Sequence, residues 1–364
     1  MKKRVIISVA NDITTDQRVQ KVARTLYEYG FEVLLLGREL ENSLPLNLPY
    51  QTKRIRLIFN KKVWFFIEFN IRLFFLLVKS KSDIYLSNDT DTLLANYWAS
   101  KIKRTKLIFD AHGIFPELPE LRHHRFRQKL WTKIEKSIFP KLHNAYTVNQ
   151  SIADYYRKLY RTRMNAVRNV PYFEKVIDGK GRFTIAGKKI ILYQGAVNLG
   201  RGLEWVIDAM PLVSKDAVLM IVGDGDAKRE LTQYVVNKEL TNRIMFSGRK
   251  SPDELFRYTK AAHIGLCLLD NLGLNSYYAL PELIFEYLRA GVPVLATDFP
   301  EIREFVNAHN TGVLIDHYEP QFLADKINSM LAEKMDTSRF FNIAQKNCWE
   351  NEEKILLKIF KGRL

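Results

Sequence analysis

Short β-branched apolar runs alternate with stretches of helical periodicity along most of the chain. In the first half, RVIISVA leads into a helix over Gln17–Tyr29, and GFEVLLLG, DIYLSND, TKLIFDAHG and NAYTVN follow as further strand-like runs. In the second half, KKIILYQGA precedes a helix over Leu203–Val213, AVLMIVGDG a helix near Ala227–Asn237, and RIMFSG a helix near Asp253–Lys260. Then come AAHIGLCLL, a helix LPELIFEYLRAG stopped by Gly291, and the strand PVLATD. Apolar strands alternating with amphipathic helices predict parallel sheets in an α/β chain.

With 364 residues, the chain exceeds the size at which a single core keeps growing. Val176–Lys188 is rich in Gly and Lys and lacks a helical period, so it reads as a linker. The expectation is two Rossmann-like domains, residues 1–178 and 188–340, with parallel sheets facing an interdomain cleft and joined by residues 179–187. The helical tail 341–364 is expected to pack back towards the first domain.

Composition adds little until charge is divided along the chain. Hydrophobic content of 47% and charged content of 26% are ordinary for a globular protein. Cys267 and Cys348 have no metal-type spacing, which predicts buried thiols and a reducing, cytoplasmic setting. The apolar run in MKKRVIISVA is too short for a signal segment and reads as the first strand. The most apolar stretch, Val63–Ser80, is interrupted by Glu68, Asn70 and Arg72, short of the roughly 18 clean residues a spanning helix needs. Its residues suit an ordinary buried helix or a segment resting on lipid. Residues 1–180 hold 33 Lys and Arg against 17 Asp and Glu, whereas residues 181–364 hold 23 of each. The whole excess of +16 therefore lies in the first half, which predicts an anionic partner, lipid or nucleic acid.

Ligands of open α/β sheets bind beyond the carboxyl ends of strands, and that rule selects the candidate residues. YQGAVNLGRGLEWV places Gly195, Gly200 and Arg201–Gly202 between a strand and a helix, a setting suited to a diphosphate. VGDGD brings Gly223, Asp224, Gly225 and Asp226 to the next strand end, with Asp226 expected to cap a helix rather than hold a metal. In SNDTD, Asp89 or Asp91 is expected to cap a helix in the same way. FDAHG sets Asp110 and His112 beyond a strand of the basic half, where an imidazole can address a sugar hydroxyl or a developing charge. Glu286, on a short helix before a buried strand, can accept both hydroxyls of a ribose, and Glu282 shares its face.

Taken together, YQGAVNLGRGL, VGDGD, FSGRKSPDEL and LPELIFEYLRAGVPVLATD resemble the second domain of the GT-B glycosyltransferases of the retaining family four group. NDITTDQRVQKVARTLYEYGFEVLLLGR, FDAHG, AYTVNQSIADYY and VRNVPYF resemble its first domain. The resemblance implies a metal-independent, cofactor-free transferase that retains configuration at the anomeric carbon. It assigns Glu286 to the donor ribose, Arg201 to the diphosphate and His112 to the neighbourhood of the transferred sugar. It places Gly195, Gly202, Gly223, Asp224, Gly248, Arg249, Tyr278, Leu280 and Pro281 along the donor, and Thr14, Arg18 and Asp110 on the acceptor side. Four positions depart from the family pattern, Tyr278 replacing the first motif glutamate, Ala196 a phosphate cation and Ile13–Thr14 a glycine pair, while ALPELIFEY resembles one branch of the family with Leu283 in place of its lysine.

The expected activity is transfer from a nucleotide sugar to a glycan or lipid-linked acceptor at the inner membrane face, with peripheral contact to anionic lipid and no nucleic-acid partner. A non-catalytic partner subunit of the same fold and a nucleic-acid-binding protein are the alternatives.

Overall fold

A computed structural model describes every residue except 1, 15, 42, 61, 119–120, 122–123, 174–182, 186, 334 and 363–364. The chain divides into two compact units, Met1–Asn169 with Glu352–Leu364, and Val170–Asn351. The first crossing precedes the predicted linker 179–187, most of which lies outside the described residues. The second falls within the predicted 341–364 segment, which forms two helices, Phe340–Lys346 and Trp349–Lys361.

Unit 1 is built on seven strands: β1 (Arg4–Asp12), β2 (Glu32–Glu39), β3 (Gln51–Arg56), β4 (Ile84–Asn88), β5 (Lys106–Ala111), β6 (Ala145–Thr147) and β7 (Asn165–Ala166). They lie in the order β3-β2-β1-β4-β5-β6-β7, all pairs parallel. Its helices include α1 (Gln17–Glu28), α2 (Lys62–Lys79) and α3 (Asp89–Lys103). The aromatic stretch of the sequence is α2, whose Phe65, Phe69, Leu73 and Leu77 recur every fourth residue and are buried against Ile6, Leu36 and Tyr85. Strand β3 escaped the apolar pattern because it is an edge strand whose sequence QTKRIR is mostly polar.

Unit 2 carries six strands: β8 (Lys189–Gln194), β9 (Ala217–Val222), β10 (Ile244–Phe246), β11 (Ile264–Cys267), β12 (Val294–Thr297) and β13 (Gly312–Ile315). Their order is β10-β9-β8-β11-β12-β13, again all parallel. In both sheets the strand order reverses once, between β1 and β4 and between β8 and β11. The crevice outside such a reversal is where open α/β sheets bind ligands.

Candidate active site

In unit 1, the pairing of β4 with β5 brings the end of β4 beside the residue that follows β5. The His112 backbone N–H donates to Asp89 Oδ1 at 2.9 Å. Its Nδ1 lies 3.4 Å from Asp89 Oδ2 and its Nε2 3.4 Å from Asp110 Oδ2. Asn88 Oδ1 lies 3.3 Å from the same Nε2, and the Asn88 amide donates to Ser8 O on β1 at 3.0 Å. Burial alone would lower the imidazole pKa, but the Asp89 and Asp110 carboxylates outweigh it and push it up to about 9. His112 is therefore an imidazolium at neutral pH, with 19% of its side chain exposed.

This arrangement corrects the sequence expectation for SNDTD. Neither Asp89 nor Asp91 caps α3, because Asn88 holds the cap position without a side-chain bond. Asp89 has a φ of 58°, a costly conformation for a residue with a Cβ, and its carboxylate serves His112 instead.

Arg18 and Asp110, both expected on the acceptor side, bind each other. Arg18 Nε and Nη2 donate to the two Asp110 oxygens at 3.0 and 2.9 Å, and Nη1 donates to Val167 O at 3.0 Å. Arg18 is only 5% exposed. Burial would raise the Asp110 pKa, yet the cations of Arg18 and His112 bring it down to about 2. The pair thus fixes a carboxylate against His112. Thr14 lies nearby in sequence, and its N–H donates to Asp12 Oδ1 at 3.0 Å.

In unit 2, the loops after β8 and β9 interlock. Gly195 N–H donates to Val222 O, Val197 N–H to Asp224 O, and Ala227 N–H to Val197 O, each at 3.0 Å. Gly223 permits this approach, since a Cβ there would stand 1.8 Å from Gly195 O. Gly202 supplies the left-handed turn, φ 62°, that opens the helix Leu203–Ala209. Arg201 is half-buried in this turn. Burial pushes the Tyr193 hydroxyl and the Cys267 thiol up to about 12, and in both the Arg201 charge opposes that rise. Tyr193 belongs to β8 and Cys267 to β11, so the guanidinium lies at the reversal of the sheet. Among the described residues, no carboxylate forms an ion pair with it.

Asp224 is exposed and lies 3.5 Å from Lys228 Nζ. Asp226 does not cap the following helix, contrary to the sequence expectation. Ala227 holds the cap position of Lys228–Asn237, and the Asp226 N–H donates to Asn198 Oδ1 at 3.2 Å. Gly248 has φ 68°, with Lys228 Nζ 3.9 Å from where its Cβ would stand, and Arg249 beside it is exposed.

Glu286 lies on the helix Glu282–Arg289. Its neighbour Tyr287 is the anchor, donating its hydroxyl to Leu192 O of β8 at 3.0 Å and to Leu266 O of β11 at 3.3 Å. The Tyr287 ring fills the space at Gly265, where a Cβ would meet it at 2.5 Å. The anchor faces the core, while Glu286 remains 25% exposed. Glu286 Oε2 accepts from Arg289 Nη2 at 3.0 Å, and Arg289 also reaches Tyr172 O at 3.4 Å. Tyr278 ends the short helix Leu274–Tyr277, with its ring against Tyr277. Leu280 packs partly buried on the core and Pro281 holds the cap position before Glu282.

Sequence reasoning gave Asp89 a capping role in place of its bond to His112 and missed Arg289 and Tyr287. The three-residue spacing from Glu286 to Arg289 signals a helical ion pair, and the glycine in the strand IGLC signals close approach by a large ring.

Residues 180–347 match the family described as Glycosyl transferases group 1, and residues 16–171 match Glycosyltransferase Family 4. An uncharacterised glycosyltransferase of Methanocaldococcus jannaschii is 23% identical over 181 residues, 48% of this chain and 45% of that protein. The chain spans less than half the length of the curated relatives it matches. Among solved structures, sucrose-phosphate synthase of Thermosynechococcus elongatus superposes with a TM-score of 0.81 at 16% identity, covering 99% of each chain. HepE of Anabaena in complex with UDP gives 0.73 at 15% identity, covering 99% of this chain and 100% of its own, and HepE has also been solved with UDP-glucose. At these identities the structural likeness speaks for the fold.

Proposed function

The chain belongs to the group 1 glycosyltransferases, and from that premise we propose that it moves a sugar from a nucleoside diphosphate sugar to a glycan or lipid-linked acceptor at the inner membrane face. The observation that carries the donor class is Arg201, a half-buried guanidinium at the reversal of a parallel sheet with no carboxylate partner among the described residues. Such a group is suited to a diphosphate. The UDP complexes of HepE support the same class.

The proposed reaction retains configuration. The acceptor hydroxyl oxygen forms its bond to the anomeric carbon on the face from which the diphosphate oxygen departs, and the hydroxyl proton passes to that departing oxygen. Arg201 stabilises the charge that grows on the leaving diphosphate. Glu286 accepts the ribose hydroxyls. His112, already protonated and with both ring N–H groups facing the Asp89 and Asp110 carboxylates, does not act as a base at neutral pH. No metal or cofactor has a role in this scheme. The basic excess of residues 1–180 supports contact with anionic lipid.

A thermal-shift panel of UDP-, GDP- and ADP-sugars tests the reading. One nucleotide class is expected to raise the melting temperature saturably, whereas a flat response across the panel contradicts a nucleotide-sugar donor.

A further inference from the structure

Unit 1 leaves two adjoining helix faces bare. On α2, Trp64, Ile67, Ile71 and Phe75 are exposed, the tryptophan at 62%, although the same helix buries a full apolar stripe on its opposite side. On α3, Leu94, Trp98 and Ile102 are exposed at near four-residue spacing, Trp98 at 55%. The two helices lie side by side, tied by one side chain: the Asn70 amide donates to Asp91 O at 2.7 Å and its oxygen accepts from Ala95 N–H at 3.2 Å. Their exposed stripes therefore form one apolar face.

At the carboxyl end of α3 this face meets an open cavity of about 370 Å³. Lys101, Arg104, Lys106, Lys141 and His143 line it, with no Asp or Glu among its lining residues. Cations at a helix end complement the helix dipole, which accounts for Lys101 and Arg104. It does not account for Lys141 and His143 from the segment before β6, whereas Lys106 on β5 donates to Ile359 O near the end of the helix Trp349–Lys361 at 3.1 Å. Basic groups from α3 and from the segment before β6 therefore meet at the cavity without a counter-charge in the lining. The cavity adjoins the apolar face directly, since Tyr97 of its wall packs edge-on against Trp98 with ring centroids 5.5 Å apart.

We infer that this cavity seats the phosphate head group of an anionic phospholipid while the α2–α3 face rests on the bilayer. Tryptophan and aliphatic side chains beside lysines are the composition that holds an amphipathic surface at an anionic interface. The inference rests on the membrane-face reading proposed above and gives it a defined surface.

The test is co-sedimentation of the full chain with vesicles of phosphatidylcholine alone or with about a third phosphatidylglycerol. The wild-type chain is expected to follow only the anionic vesicles. Ile71→Ser with Trp98→Ser, and separately Lys101→Glu with Lys141→Glu, are expected to abolish or sharply weaken binding, each lost cation costing roughly five-fold in affinity. All four side chains are exposed, so both variants should melt like the wild type and keep its nucleotide-sugar response. Equal binding to both vesicle types overturns the inference, as does undiminished binding by either double variant. Release from vesicles by low-millimolar inorganic phosphate would instead make the cavity a free-anion site and also overturns it. Nucleotide-sugar binding without vesicle binding sinks this surface alone; vesicle binding without nucleotide-sugar binding sinks the donor assignment alone.

Discussion

Asp89 accepts the backbone N–H of His112 with one carboxylate oxygen and stands 3.4 Å from the imidazole Nδ1 with the other. One acid thus fixes both the position and the charge of the histidine. Asp110, itself held by Arg18, faces the other ring nitrogen. The imidazole is set between two carboxylates, and only the protonated ring satisfies both.

Replacing Asp89 by Asn should keep the backbone hydrogen bond and remove the charge. The His112 pKa is then expected to fall from about 9 towards the ordinary imidazole range, measured by NMR titration of the ring. The sign for stability follows. The folded value exceeds the unfolded 6.5, so the His112 contribution is complete below that pH and is lost as pH rises through about 9. A His112 that titrates equally in wild type and variant would contradict the pairing.

Glu135 is buried, accepting from Thr90 and Tyr160 hydroxyls at 3.1 Å each. Burial pushes it up to about 7 from an unfolded 4.5. Its contribution is complete below 4.5 and is lost as pH rises through 7. Glu135→Gln should therefore remove a loss of stability on the order of 2–3 kcal/mol above neutrality. Urea melts at pH 5 and pH 8 read this directly: the variant should gain on the wild type only at the higher pH.

Gly223→Ala should disrupt unit 2, because the new Cβ would meet the Gly195 carbonyl at 1.8 Å. Backbone offers no flexible end to move aside, so a cost of about 3 kcal/mol is expected. Denaturant unfolding gives the number. A wild-type midpoint would mean that the two loops are not interlocked.

Glu286→Ala should weaken nucleotide-sugar binding about tenfold or more, consistent with loss of hydrogen bonds to a charged acceptor, while the melting temperature of the unliganded chain shifts little. Arg289→Lys separates the roles. It retains a cation three residues on but loses the fork that joins Glu286 to Tyr172, and a smaller loss of affinity is expected. Equal affinity in all three proteins would remove Glu286 from the donor site.

Much of this architecture was legible before any coordinates. Buried parallel strands such as VIISVA are nearly continuous apolar segments, so β1, β4, β5, β8, β9, β11 and β12 announce themselves, and the order of glycine-bearing strand ends carries the family resemblance. Strand β3 was hidden because an edge strand with Lys53, Arg54 and Arg56 has no apolar period. The caps misled for a different reason. Asp89 and Asp226 have the right residue type and position for capping, but long-range partners that a local pattern does not show, His112 and Asn198, decide their geometry. The sequence likewise offered Arg18 and Asp110 as separate site residues. Their mutual pairing spans 92 positions and depends on the fold.

The central claim is that unit 2 grips a nucleotide sugar through the diphosphate, with Arg201 as the cation. Calorimetric titration of wild type and Arg201→Ala, each with the nucleoside diphosphate selected by the panel and with its parent nucleoside, tests it most directly. The expected result is a loss of diphosphate affinity of about tenfold or more in the variant, with nucleoside affinity unchanged. Equal diphosphate affinity in the two proteins would contradict the account.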